Sequence, residues 1–270
     1  MSSLALVPSL IVLGWTICLK KASESKKKTV LLVASFVYGL MLESLTITFF
    51  GAYSYSSLFL DVFNGVPVYI GLLWSITIFT GLEIGKKIGK DYLSVSMLVS
   101  GIALLVDLSI EFQAVSMGLW SWNHNFLPVN PGNFIGWILA SFFFTYIWQR
   151  TEKSFKLSSR ATISILGALA FLISSLYIWI KFFQKIQVLG GPRSLEATIV
   201  TTLSIIICLR TFRKVIKSRN IENRIFSGII TGLTGFQITY ILITDQINPL
   251  NLIPYLILVL MAVFNSYSHK

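Results

Sequence analysis

The sequence predicts an all-α, polytopic transmembrane helix bundle of about nine spans, with eight the nearest competing count and the N-terminus outside. Three observations predict it. Of 270 residues, 54% are hydrophobic and 12% charged, and the mean hydropathy is +0.76, values outside the water-soluble classes. The apolar residues gather into stretches near the ~20 residues that a helix needs to cross roughly 30 Å of hydrocarbon, where lipid offers no partner to an unpaired backbone group. The basic residues gather in alternate connections between those stretches.

The spans run approximately 4–19, 29–50, 66–85, 92–117, 132–149, 161–180, 196–210, 225–244 and 249–266. The first and seventh are short, and only the turn at Asn248-Pro249 separates the eighth from the ninth. With the N-terminus outside, 19 of the 22 lysines and arginines fall on the inner side, leaving Lys181, Lys185 and Arg193 outside. The inner groups are those around Lys26–Lys28, Lys86–Lys90, Arg150–Arg160 and Arg210–Arg224, with Lys270 at the end. The first span lacks a small-residue cleavage site ahead of its basic loop and is expected to be retained, not removed as a signal peptide. The longest connections, 51–65, 118–131, 181–195 and 211–224, are too short for a soluble domain, so residues 1–270 are expected to form a single integral domain of the cell membrane.

Several chemistries are excluded by what the chain lacks. Cys18 and Cys208 lie far apart in apolar stretches, which leaves no disulfide scaffold and no cysteine-rich zinc site. His124 and His269 are the only histidines, too few for a histidine-built metal centre or a bis-histidine haem. No lysine stands at the centre of a late span to carry a retinal Schiff base. The net charge of +11 is read as cytoplasmic-side charge and not as a nucleic-acid footprint.

With 11 acids in the chain, each one can be placed. Glu24, Asp91, Glu152 and Glu222 fall in inner loops, where solvated charge balance is expected, and Glu83 is expected to pair with Lys87 or snorkel. Asp61, Glu196 and Asp245 fall at outer helix ends or loops. That leaves Glu43, Asp107 and Glu111 within apolar spans, where each costs about 2.5–3.5 kcal/mol on insertion scales and faces the bundle interior. Asp107 and Glu111 are four residues apart and share a helix face. Glu43 and Asp107 both stand about fourteen residues from the inner ends of their spans, roughly 21 Å along the helix, so one polar chamber can hold all three acids. Carboxylic acids crowded together away from water hold their protons, and such an acid can protonate a weak base.

Aromatic pairs follow these acids. Gly51-Ala52-Tyr53-Ser54-Tyr55 lies beyond Glu43, and Gly118-Leu119-Trp120-Ser121-Trp122 lies beyond Glu111. An interfacial aromatic belt explains them equally well as a cavity wall that stabilises positive charge. If the segments are extended, the alternation points both rings of each pair the same way. Asn64-Gly65-Val66-Pro67 opens the third span, with Trp74 two turns in. Asn133, ahead of Gly136-Trp137, is expected to be a helix cap, the alternative being a donor to a carboxylate or water. Gly81, Gly85 and Gly89, and Gly228 with Gly232, have the small-xxx-small spacing of close helix packing.

These motifs, in this order over about residues 38–140, resemble the carotenoid biosynthesis protein family of membrane hydratases, which includes bisanhydrobacterioruberin hydratase. Carried over, the family pattern falls on Glu43, Gly51, Tyr53, Tyr55, Gly65, Pro67, Trp74, Asp107, Trp120, Trp122, Asn133, Gly136 and Trp137. Where that pattern has an acid followed by proline, this chain has Glu111-Phe112, so the helix need not kink there. The resemblance implies addition of water to the terminal isopropylidene double bond of an acyclic carotenoid, without cofactor or metal. Its catalytic groups would be Asp107, Glu111 and Glu43, and its substrate-binding groups Tyr53, Tyr55, Trp74, Trp120, Trp122, Asn133 and Trp137. The expected partners are a lipid-embedded carotenoid, membrane lipids and other carotenoid enzymes, with no nucleic acid. Two other readings stay open: a proton-coupled transporter, and a membrane prenyltransferase, for which the second acidic motif is missing.

Overall fold

The computed structural model describes residues 3–56, 61–123 and 130–188, together with residues 199, 200, 202–204, 206, 207 and 210. Helices occupy the first six apolar stretches: α1 Ser3–Ala22, α2 Lys26–Phe50, α3 Val68–Ile88, α4 Tyr92–Ser116, α5 Pro131–Arg150 and α6 Leu157–Val188. Helical residues between 199 and 210 mark the seventh, while the eighth and ninth expected spans, with Gly228, Gly232 and Asp245, lie outside the described residues, as do His124 and Glu196. Among the described residues α2, α3 and the Leu157–Ile186 part of α6 are long and apolar enough to cross a membrane, with Tyr92–Leu108 a shorter apolar helix. This is a membrane protein. Phe171, Ile178 and Phe182 of α6 turn apolar side chains outward, as a lipid-facing surface requires.

Local chemistry sets the helix starts. The Ser25 hydroxyl accepts from the Lys28 N–H at 3.2 Å, and the Asp91 carboxylate accepts from the Ser94 N–H at 2.8 Å, each meeting a donor that the first helical turn leaves open. Asn130 does the same for α5, accepting from the Gly132 N–H at 2.9 Å, with Pro131 in the first helical position. This corrects the cap expected at Asn133. The continuous α4 runs through Glu111 without a break, as its lack of proline allows.

The helices close a ring in which α2 packs on α3, α3 on α4, α4 on α5, α5 on α6 and α6 back on α2, while α1 packs on α3 and α2. Glycines let these helices approach. A Cβ at Gly81 would stand 2.9 Å from Val99 Cγ1, and one at Gly89 2.6 Å from Val95 Cγ2, so the small-residue row on α3 is packed against α4.

Two short antiparallel ribbons depart from the all-α expectation. Strand β1 (Tyr53–Tyr55) pairs with β4 (Trp120–Trp122), and β2 (Asp61–Phe63) pairs with β3 (Val66–Pro67). Asn64 and Gly65, with φ of 49° and 75°, form the tight turn of the second ribbon, which is the hairpin chemistry of an Asn-Gly dipeptide.

Glu83 is paired, as an ionised acid near a helix end should be, with Lys28 as a partner, and Glu152 is more structured than solvated charge balance implies. Glu83 pairs with Lys28 of α2 at 3.2 Å, and Glu152 pairs with Lys27 and, at 3.2 Å, with Arg160. Arg160 is buried, lies 4.1 Å over the Trp148 ring, and donates Nε–H to the Trp148 carbonyl at 2.7 Å, serving the C-terminal end of α5. Arg160→Met removes these donors and is expected to destabilise the bundle by about 1–3 kcal/mol, read as a lowered melting temperature in detergent.

Candidate active site

The Gly-x-aromatic-x-aromatic segments form the wall of the site because each glycine ends a helix. Gly51 (φ 54°) closes α2 with its N–H on the Ile47 carbonyl at 2.9 Å, and Gly118 (φ 69°) follows α4. The chain leaves each in extended form, and backbone pairing sets Tyr53 opposite Trp122 and Tyr55 opposite Trp120. Ser54 and Ser121 point outward, and their hydroxyls lie 3.3 Å apart. All four rings therefore point the same way, inward, with centroid separations of 4.9 Å for Tyr53 and Trp122 and 5.8 Å for Tyr55 and Trp120. Asn123 ties the ribbon down by donating its side-chain amide to the Gly51 carbonyl at 2.6 Å.

Glu43, buried on α2, receives three donors. The Tyr53 and Tyr55 hydroxyls donate to Oε2, the latter at 2.8 Å, and Trp74 Nε1 donates to Oε1 at 2.7 Å. Burial first, and then the neighbouring Glu43 carboxyl, pushes both phenols well above the usual tyrosine range, so they stay protonated donors. The Trp74 ring stacks on Trp137 at 4.0 Å, and Gly39 makes room for it.

Asp107 and Glu111, both buried on α4, stand one helical turn apart and share the Asn133 amide as a donor. Trp120 and Trp122 donate their indole N–H groups to Glu111 Oε1 at 2.9 and 2.7 Å. Asn133 Nδ2 donates to both Asp107 oxygens, at 3.2 and 2.9 Å, and reaches Glu111 Oε2 at 3.3 Å. The donor alternative for Asn133 is the one realised, and it joins α5 to α4 at the acids. Among the described residues no ion pair reaches Glu43, Asp107 or Glu111; neutral N–H and O–H donors meet them instead.

A half-open cavity of about 830 Å³ lies in front of this cluster, between α2, α5 and α6. Glu43 and Asn133 are among its polar lining, Tyr53, Trp74, Trp122 and Trp137 form an aromatic wall, and α6 contributes Leu172, Leu176 and Phe183 together with Lys181 and Gln184. Glu43, Tyr53, Trp74, Trp122, Asn133 and Trp137 line this cavity; Tyr55, Asp107 and Glu111 each touch one of them, and Trp120 stands one layer further back, against Tyr55 and Glu111. Sequence reasoning missed the α6 face, which only hydropathy marked, and Gly39, whose signal was a glycine inside an apolar helix. Among the described residues no group of three or more His, Cys, Asp or Glu is arranged to hold a metal ion.

A family model described as carotenoid biosynthesis protein matches residues 3–208. No curated protein and no solved structure matches the chain.

Proposed function

Because the chain belongs to the carotenoid biosynthesis protein family and so acts in the making of carotenoids, we propose that it is a cofactor-independent hydratase, adding water to the terminal isopropylidene double bond of an acyclic carotenoid. The observation that carries this reading is the arrangement of three buried carboxyl groups at an aromatic-walled cavity, Glu43 lining it and Asp107 and Glu111 behind its wall. Hydration of a trisubstituted alkene needs an acid to protonate the less substituted carbon, surroundings that tolerate the tertiary cation, and a water to capture it. Asp107 and Glu111 are the proton source, since two buried carboxyl groups one helical turn apart, met by neutral donors, resist carrying two negative charges. Tyr53, Trp74, Trp122 and Trp137 present ring faces and edges to the cavity and stabilise the cation without trapping it as nucleophiles. Glu43 orients the water, and Asn133 fixes the acids.

The substrate is membrane-dissolved, and the half-open cavity beside the outward apolar face of α6 supports entry of its end group from lipid. The same reading takes the full chain as a nine-span, multi-pass bundle with its N-terminus outside, supported by the 19 basic residues on the inner side. Co-expression with enzymes that make an acyclic carotenoid, followed by mass spectrometry of the pigments, tests the activity. The expected product has gained the mass of one water per modified end; unchanged pigment in the presence of membrane-inserted protein removes the hydratase reading.

A further inference from the structure

Adjoining the substrate cavity is a second, smaller space of about 20 Å³, lined by Glu43 and Glu111 together with Asn133, Ile70, Leu73 and the rings of the site. A water needs about 10–15 Å³ of such space and two to four polar partners, so the chamber takes one water and no part of a hydrocarbon chain. Partners stand on both sides. Glu43 accepts three donors where a carboxylate offers about four lone-pair sites, and Glu111 Oε2 meets Asn133 only at 3.3 Å. The two spaces share the walls Glu43, Tyr53, Trp122, Asn133 and Trp137. Glu43 lines both, whereas Glu111 lines only the chamber and Asp107 neither.

Resting on the hydration reading, we infer that this chamber holds the single water that both relays the proton from Glu111 and then adds to the substrate. The Glu111 O–H breaks as its proton joins the water, while one of the water's own O–H bonds breaks and that hydrogen bonds to the less substituted alkene carbon through the π pair. A neutral water remains beside the new tertiary cation. Its lone pair forms the C–O bond, and the proton lost from the resulting oxonium returns to the Glu111 carboxylate. One water is added and the carboxyl groups end as they began. Glu43, held in place by Tyr53, Tyr55 and Trp74, accepts the water's other hydrogen and keeps the water turned toward the alkene. Hydrogen and hydroxyl consequently enter on the same face of the double bond.

Leu73 lines the chamber but not the substrate cavity, which makes Leu73→Phe the discriminating variant. In membranes, wild type and Leu73→Phe are compared for carotenoid that co-purifies with the protein, read by polyene absorption, and for hydrated product. Unchanged bound carotenoid with about a 100-fold loss of product is expected. Undiminished product from folded Leu73→Phe overturns the chamber while leaving the hydratase intact, whereas absence of product from wild type overturns the hydratase itself. The wild-type protein supplies a second measurement that needs no variant. In D2O, with a substrate carrying ¹³C in one terminal methyl group, deuterium and hydroxyl on the same face are expected, and addition to opposite faces overturns the relay.

Discussion

On the proposed hydration, Asp107→Asn and Glu111→Gln are each expected to leave a folded, membrane-inserted protein that converts acyclic carotenoid to its hydroxylated product about 10²–10⁴-fold more slowly than wild type. Both replacements keep side-chain volume and hydrogen-bonding capacity, so Asn133, Trp120 and Trp122 retain acceptors for their N–H groups. What the proposal has them lose is the acidic proton of the replaced carboxyl group. The two variants differ in a telling way: Glu111 lines the chamber that adjoins the substrate cavity, whereas Asp107 lines neither space and works only through Glu111. Glu111→Gln is therefore expected to be the more severe. Product quantified by mass spectrometry at equal membrane protein content checks this, and wild-type yield from both variants removes acid catalysis by this pair.

Gly39→Ala is expected to lower stability and turnover together. An added Cβ would stand 2.5 Å from Trp74 Cβ, the stem of the indole and not a flexible tip, so either α2 withdraws from α3 or the ring leaves its place. Overpacking of this kind costs about 1–3 kcal/mol, and here it also carries off the Nε1–H that Glu43 accepts at 2.7 Å and the stack on Trp137. A lowered melting temperature in detergent together with at least a tenfold loss of product is expected. Gly136→Ala is the comparison, because nothing lies within 4 Å of a Cβ added there, and its melting temperature should match wild type.

The acids were legible in the sequence for an energetic reason. An ionisable group in hydrocarbon is costly, so Glu43, Asp107 and Glu111 stood out without any knowledge of their neighbours. The helices from α1 to α6 were legible through apolar length, although α6 extends beyond the expected 161–180 to Leu157–Val188. Alternation showed that Tyr53 with Tyr55, and Trp120 with Trp122, point together. Their pairing across some 67 residues did not follow from alternation, because strand partnership is a long-range choice that either segment alone leaves open. Asn133 was misread because cap and donor roles suit the same amide; Asn130, three residues earlier, fits the turn geometry and frees Asn133 to reach across to α4. Most of the α6 wall of the cavity is apolar, Lys181 and Gln184 apart, and apolar side chains facing a cavity look the same in sequence as those facing lipid.

The ribbon of β1 and β4 makes chain length in two loops a chemical constraint. A strand shows alternate residues to opposite sides, so inserting or deleting a single residue after Gly51 or after Gly118 would swap rings for serines on the inward side. Slippage of the first strand would strip Glu43 of both phenols, and slippage of the second would strip Glu111 of both indoles. Spacing between each glycine and its two aromatics is thus as much a part of the catalyst as the carboxyl groups themselves, and change there arrives all at once, never by degrees.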